Sequence, residues 1–118
     1  MFLERLNDLS NRIGKTRALS LVAADGIPVE SVSSDDELDL EALAAELMNQ
    51  VKNISENHRD LSMGEVEQFS VTTDDLTLMV SSLNPNYFLL LVLGPEGSYG
   101  RARFELRRAR LQFAKDLV

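Results

Sequence analysis

The side chains that most often do chemistry in proteins are sparse in this sequence. Cysteine is absent, and His58 is the one histidine. His58 shares a helical apolar stripe with Ile54 and Leu61, which favours a structural role over general-base catalysis. A site for a metal such as zinc would need further histidine or thiolate ligands, which the chain does not contain. The sequence therefore predicts no catalytic residue, no bound metal and no cofactor.

Two segments have compositions that are found at ion-binding sites. Residues 35–39 carry four carboxylates but lack the glycine and the spacing of a calcium loop, and their charge suits the start of a helix. Residues 94–100 follow an apolar run and precede a helical pattern, as phosphate-binding loops do. This second segment lacks the lysine of a P-loop, and its glycine spacing differs from the dinucleotide-binding fingerprint. A tight turn with one glycine in close contact with a helix is the favoured explanation.

The outward face of a long predicted helix is the most informative polar surface. Ala42, Ala45 and Asn49 are small residues on that face, and Met48 and Lys52 lie beside them. Small residues on a solvent-facing surface let a second helix approach closely. Alanine is also simply a good helix former. Both interpretations stay open from the residues alone.

Composition excludes several classes of protein. The chain has 118 residues, of which 44% are hydrophobic and 26% charged, a composition typical of one globular domain over residues 1–118. Without cysteine, a disulfide-stabilised secreted scaffold is disfavoured. The first residues lack the apolar core of a signal peptide, and no stretch approaches membrane-spanning length. We therefore expect a cytoplasmic protein that does not insert into membranes.

Acidic and basic residues are separated along the chain. The net charge of −7 argues against a nucleic-acid partner, because such binding depends on neutralising phosphates. Residues 25–75 contain fourteen acidic and two basic side chains, a net charge of −12. Residues 101–116 contain six basic and two acidic side chains, a net charge of +4. This separation can steer a charged partner or give self-association a direction, and a set of solvated helix faces explains it equally well.

The elements that position these surfaces are organised around residues 87–94, which are almost wholly apolar. Turn-forming residues flank the run, at 84–86 before it and at 94–97 after it. A buried strand has about this length and composition. Because successive side chains of a strand point to opposite faces, both faces of this strand are apolar. The strand must therefore lie inside a sheet that helices cover on both faces.

Apolar periodicity predicts three helices. A short amphipathic helix occupies the N-terminus and ends at Gly14. The long helix begins after Asp39 as its N-cap and runs from residue 40 to about residue 61. The last helix follows Ser98 and carries two apolar lines. The second of these lines, which could contact either the first helix or another chain, consists of Phe104, Leu111 and Val118.

Four further strands are predicted around the central one. Asp25-Gly26 supplies a two-residue hairpin turn between the first two strands. Pro28 places the second strand at an edge, because proline cannot donate a hydrogen bond to a neighbouring strand. All strand-to-strand links are short enough for antiparallel hairpins, except where the long helix intervenes. The fold class is α+β in the order α-β-β-α-β-β-β-α, and the predicted strands are residues 16–24, 27–33, 65–72, 76–80 and 87–94.

The stretch around Asp25-Gly26, residues 18–29, resembles the opening hairpin of the Roadblock family, which includes dynein light chains and bacterial MglB-like regulators. Residues 40–45 resemble the start of that family's long helix. Further segments that are similar to its later strands and last helix are residues 76–80, 87–94 and 100–106. Nearly the whole chain is covered by this resemblance.

The resemblance implies a sandwich in which a five-stranded antiparallel sheet has the long helix on one face and the N- and C-terminal helices on the other. It also implies a homodimer that pairs the third strands and the long helices. On this basis the residues expected at the dimer interface are Ala42, Ala45, Met48, Lys52, Val66 and Gln68. Family members lack a catalytic group of their own, in agreement with the side chains present here.

The usual activity of the family is to bind and regulate small Ras-like GTPases. The resemblance therefore implies a non-enzymatic regulator that activates such a GTPase or senses its nucleotide state. The residues expected to contact the GTPase, which face outward by helical phase, are Glu41, Glu46, Asn49, Asn53 and Glu56. Two other functions stay open, a dimeric structural adaptor without nucleotide-dependent binding and a small-ligand sensor in a related α/β sandwich.

Overall fold

The predicted order of helices and strands is confirmed by a computed structural model, which describes residues 2–117 apart from the side chains of residues 58–60. The described residues form three helices and five strands, in the order that the sequence patterns indicate. In chain order they are α1 (Leu3–Ile13), β1 (Thr16–Ala23), β2 (Pro28–Ser33), α2 (Leu40–Asp60), β3 (Gln68–Thr72), β4 (Thr77–Asn84), β5 (Tyr87–Leu93) and α3 (Tyr99–Phe113).

The strands form one antiparallel sheet in the order β2-β1-β5-β4-β3. The apolar strand β5 lies at the centre, as its composition predicts, and is hydrogen-bonded to β1 on one side and β4 on the other. The proline-containing strand β2 forms one edge, as predicted, and β3 forms the other. The long helix α2 links these two edge strands along the chain.

The two faces of β5 belong to two separate cores. Leu89, Leu91 and Leu93 pack in a cluster with residues of α1 and α3. Phe88 and Leu90 pack in a second cluster with residues of α2. Burying one such side chain contributes about 1.5–3 kcal/mol to folding. β5 supplies more buried apolar side chains to each core than any other strand does. The helices therefore cover opposite faces of the sheet, α2 on one and α1 with α3 on the other.

The boundaries of β3 and β4 differ from the predicted ones. β3 begins at Gln68, so Val66 lies before the strand, although the backbone N–H of Ser82 still donates to the carbonyl oxygen of Glu67 at 2.8 Å. β4 continues to Asn84 and therefore includes the serine pair that interrupts its apolar pattern. Small hydroxyl side chains fit beside β5, and the backbone hydrogen bonds of the sheet do not depend on side-chain polarity.

The turn between β1 and β2 contains three residues rather than the predicted two. The backbone N–H of Ala23 donates to the carbonyl oxygen of Ile27 at 3.0 Å, and that of Gly26 donates to the carbonyl oxygen of Ala23 at 2.9 Å. Within this turn only Gly26 has a positive φ, 91°, so the turn has the geometry of a three-residue hairpin loop that ends in a left-handed glycine.

Leu61 also differs from the prediction. The sequence predicts it on the apolar stripe of the long helix, but it follows the end of α2 and is exposed.

A buried carboxylate joins α1 to α3. Glu105 on α3 is 5% exposed, and its Oε2 accepts a hydrogen bond from Nε of Arg12 on α1 at 3.3 Å. Its Oε1 accepts from Arg108, one turn along α3, at 3.2 Å. Both arginine side chains remain about half-exposed, so water solvates their charge while the carboxylate lies between the helices.

Replacement of Glu105 with alanine should lower the free energy of unfolding by about 1–3 kcal/mol, because it removes one charge-assisted hydrogen bond between α1 and α3 and a second one within α3. Urea denaturation followed by circular dichroism measures the change. Glu65→Ala, which removes an exposed carboxylate in the segment before β3, is the control and should change stability by less than about 0.5 kcal/mol. Equal stability of the two variants would contradict a structural role for Glu105.

Candidate functional site

The outer face of α2 is a polar surface that the rest of the chain leaves uncovered. The helix begins where predicted, because Oδ1 of Asp39 accepts a hydrogen bond from the backbone N–H of Ala42 at 3.1 Å. Oε1 of Glu46 accepts from Nε2 of Gln50 on the next turn at 3.1 Å. The residues predicted to contact a GTPase are all exposed on this helix, and they are Glu41, Glu46, Asn49, Asn53 and Glu56.

The residues expected at a dimer interface do not share one exposed surface. Met48 is only 7% exposed and packs in the core between α2 and the sheet, with Val22 and Phe88. It follows Ala44 by one helical turn, so its long side chain reaches the sheet from the margin of the buried stripe. Ala42, Ala45 and Lys52 are exposed on α2.

Part of the reason for small residues on α2 lies within the chain. A Cβ atom on Gly26 would lie 3.3 Å from Cα of Ala45, so the backbone of the β1–β2 turn packs directly against the backbone of α2. Gly26 is buried at this contact and has the positive φ that glycine tolerates best. The turn therefore fixes the N-terminal half of α2 over the sheet, and Ala45 lies beside that contact.

The open edge of the sheet at β3 has the properties of a surface that pairs with another strand. β3 is hydrogen-bonded to β4 alone, and, unlike β2, it contains no proline that would interrupt a second ladder. On the side of the sheet that α2 covers, Phe69 and Leu78 are only half-buried and Val71 is 37% exposed. Val66 and Gln68, both expected at the dimer interface, are half-buried at this edge.

The glycine-containing segment before α3 has the structure of a tight turn rather than of an anion site. Oγ of Ser98 accepts a hydrogen bond from the backbone N–H of Arg101 at 3.1 Å and caps the helix, as predicted. A Cβ atom on Gly97 would lie 2.4 Å from Cδ1 of Leu93, so close packing requires glycine there. The predicted tight turn is present, since the backbone N–H of Gly97 donates to the carbonyl oxygen of Gly94 at 3.0 Å, but the close contact of the glycine is with Leu93 of β5 and not with a helix.

The remaining chemical candidates can be placed only within the described residues. Among these, no group of three or more histidine, cysteine, aspartate or glutamate side chains is arranged to hold a metal ion. The side chain of His58 lies outside the described part of the chain, so its structural role stays a prediction. None of the helices between residues 2 and 117 combines the length and the hydropathy that a bilayer-spanning helix needs.

Solved structures of three bacterial proteins share this architecture. MglC from Myxococcus xanthus is 30% identical, with 98% of each chain covered and a TM-score of 0.72. The gliding protein MglB from Thermus thermophilus is 16% identical, with 96% of this chain and 85% of that chain covered and a TM-score of 0.87. A Roadblock/LC7 domain from Streptomyces avermitilis is 19% identical, with 94% and 92% covered and a TM-score of 0.83.

The sequence itself gives the same classification. The family model of the Roadblock/LC7 domain matches residues 2–93, which span every element from α1 to β5. No curated protein matches the chain. The match extends over well over half of the residues, and the similarity to MglC runs over nearly the full length of both chains. This protein belongs to the Roadblock/LC7 family.

Proposed function

We propose that this chain is a non-enzymatic, homodimeric regulator of a small Ras-like GTPase. The observation that carries the proposal is the combination of an exposed acidic helix face on α2 with an open strand edge at β3. Regulation of small Ras-like GTPases is the activity that the family resemblance implies, and it needs no catalytic group in the regulator itself. Nucleotide-dependent binding distinguishes this function from that of a passive scaffold.

The dimer would form at β3. Antiparallel pairing of two β3 strands extends the sheet across a two-fold axis and covers Val71 and the half-buried Phe69. Val66 and Gln68 lie at this edge, and Ala42, Ala45 and Lys52 stay available on α2 for contacts between the two long helices. Met48 contributes to the core beneath the helix instead. One solved MglB structure, 16% identical to this chain, is described as having a tetrameric arrangement, which supports self-association within the fold.

Such a dimer presents one symmetric platform for a partner. The two α2 helices lie on the same face of the joined sheet, and their outward side chains form an acidic surface that crosses the two-fold axis. A GTPase has one switch region, so a platform on the axis accommodates one GTPase per dimer. Affinity depends on the bound nucleotide, because the γ-phosphate orders the switch loops that the platform contacts.

Any acceleration of hydrolysis would come from the GTPase's own residues. The one arginine of α2 is Arg59, which lies at the end of the helix beyond the predicted contact residues and whose side chain is outside the described part of the chain. The arginines of α3 lie across the sheet from the platform, too distant to act as an arginine finger. The regulator would therefore act by holding the switch loops in a hydrolysis-competent arrangement.

A dimeric adaptor without nucleotide-dependent binding is the second candidate function. The observation that favours it is the exposed apolar pair Phe104 and Leu111 on α3, which lies on the opposite side of the sheet from the platform. An adaptor needs two separate binding surfaces, and this pair marks a second one. The nucleotide dependence of binding at α2 decides between the two functions.

Val71→Lys should convert the dimer into a monomer, because two lysines would meet across the two-fold axis at the edge of β3. Val29→Lys is the matched control, since Val29 is an exposed valine on the opposite edge strand. Size-exclusion chromatography with light scattering measures the mass of each protein. A monomeric unmutated protein contradicts the dimer, and loss of the dimer in Val29→Lys alone moves the interface to β2.

Asn49→Arg should weaken GTPase binding at least about tenfold, because a long cationic side chain replaces a short polar one in the middle of the platform. Isothermal titration calorimetry would use a candidate small Ras-like GTPase, in its GTP-bound and GDP-bound states. Binding should be tighter to the GTP-bound state. Gln112→Arg, which makes a similar change on the exposed side of α3, is the control and should leave affinity unchanged.

Two results would contradict this assignment. Equal affinity for the two nucleotide states would favour the adaptor. Equal affinities of Asn49→Arg and the unmutated protein would show that the GTPase does not bind at α2.

A further inference from the structure

α3 presents an apolar line that no other element of the described chain covers. Phe104 is 60% exposed and Leu111 is 73% exposed, and the two lie two helical turns apart on the same side of the helix. Val118, the third residue predicted on this line, lies outside the described residues. α1 contacts a different side of α3, through the Glu105 ion pair and through the stacked rings of Phe2 and Phe113. Of the two partners that the sequence left open for this line, α1 is therefore not the one that covers it.

Basic side chains border the same line. Arg103, Arg107 and Arg110 line an open groove of about 910 Å³ between α3 and the segment that leads into β3. Leu111 forms part of one wall, and the exposed side chain of Met63 forms part of the other. We call this feature the α3 groove. It combines apolar surface with cationic side chains at spacings of three and four residues along one helix.

The cations of the α3 groove are incompletely neutralised within the chain. Arg110 pairs with Glu67 at 3.2 Å, but both side chains are exposed, and such surface pairs contribute little. The guanidinium of Arg103 lies over the ring of Tyr99, 5.9 Å from its centroid. Among the described residues, Arg107 makes no hydrogen bond or ion pair.

A buried hydrogen-bond donor accompanies the incompletely neutralised arginines. Nε2 of Gln68, which also lines the groove, is buried without an acceptor among the described residues. A buried donor without a partner costs free energy until an acceptor arrives. The groove therefore offers several donors and positive charge, with Glu67 and Glu65 as its carboxylates.

We propose that the α3 groove binds an acidic amphipathic helix of a partner protein. Apolar side chains two turns apart on the partner would pack on Leu111, which lines the groove, and on Phe104, which lies beside the groove on the same helix with the guanidinium of Arg108 5.8 Å from its ring centroid. Carboxylates between them would accept hydrogen bonds from Arg107 and Arg103, because guanidinium groups bind carboxylates with charge-assisted, often bidentate hydrogen bonds.

Charge selects this occupant over a second copy of the chain. Two α3 helices facing each other would bring together two segments of net charge +4, which like-charge repulsion opposes. The outer face of a second α2 is acidic, but its small residues Ala42 and Ala45 offer no large apolar side chains for Phe104 and Leu111. An acidic helix with its own apolar anchors satisfies both requirements.

The proposal is independent of GTPase binding. The α3 wall of the groove lies beyond residues 2–93, which the family model matches, and on the opposite face of the sheet from α2, whereas the other wall, residues 63–68, leads into β3. The two surfaces could therefore be occupied at the same time.

The test uses the full chain and a labelled synthetic helix of about four turns. The peptide carries leucine at two positions seven residues apart and glutamate at the third and fourth positions between them, and a matched peptide carries lysine in place of glutamate. Fluorescence anisotropy should show saturable binding of the glutamate peptide alone, with affinity that falls as salt is added. Light scattering should show an unchanged oligomeric state in every variant.

Variants locate the site. Arg107→Glu and Leu111→Ser should each weaken peptide binding at least about tenfold, because each removes one kind of contact from the centre of the groove. Lys15→Glu, the same charge change at an exposed residue between α1 and β1, should weaken it less than about twofold. Circular dichroism confirms that the variants are folded.

Three results would overturn the proposal. The first is absence of saturable binding by the glutamate peptide, and the second is equal binding of the lysine peptide. The third is an equal loss in Lys15→Glu and Arg107→Glu. Vesicles containing phosphatidylserine serve as a further arm, and binding to them without binding to the peptide would assign the groove to a membrane surface instead.

Discussion

The structure depends on a strand that has no polar side. β5 is apolar on both faces and at the centre of the sheet, so it needs a hydrogen-bonded neighbour at each edge and a helical layer on each face. α2 alone covers one face, whereas α1 and α3 together cover the other and are joined through Glu105. This arrangement commits the buried stripe of each helix to the sheet. The surfaces that remain for partners are the helix backs and the edge strands.

Most of the fold could be predicted because it follows from local patterns. Alternation and turn residues located the strands, and the proline in β2 correctly indicated an edge. Residues whose environment depends on distant parts of the chain could not be placed. Met48 has the helical phase of a marginal position, and only the distance between α2 and the sheet decides that it is buried. The packing of Gly26 on α2 likewise joins segments nearly twenty residues apart and leaves no local signal.

Of the two candidate binding surfaces, one could be predicted from the sequence and the other required the structure. Exposure of Asn49 and its neighbours on α2 follows from helical phase alone, so the sequence was sufficient. The second apolar line of α3 had two possible partners, and the ion pair between Arg12 and Glu105 separates them by fixing which side of α3 meets α1. Sequence identity and structural similarity rank the relatives differently. MglC has the higher sequence identity to this chain, whereas MglB has the higher TM-score. Chains that differ at most positions can therefore share the same architecture.

The packing of α2 has a consequence for its dynamics. Among the α2 residues whose side chains are described, 40–57, the fully buried ones are Ala44, Leu47, Met48 and Val51, whereas Ile54 and Ser55 are only half-buried. Local opening of a helix costs less where fewer apolar contacts must be broken. Amide hydrogens after Val51 should therefore exchange with solvent faster than those before it. Within residues 40–57 the helix is therefore held more firmly before Val51 than after it, so a protein bound near Asn53 could shift residues 53–57 without disturbing the core.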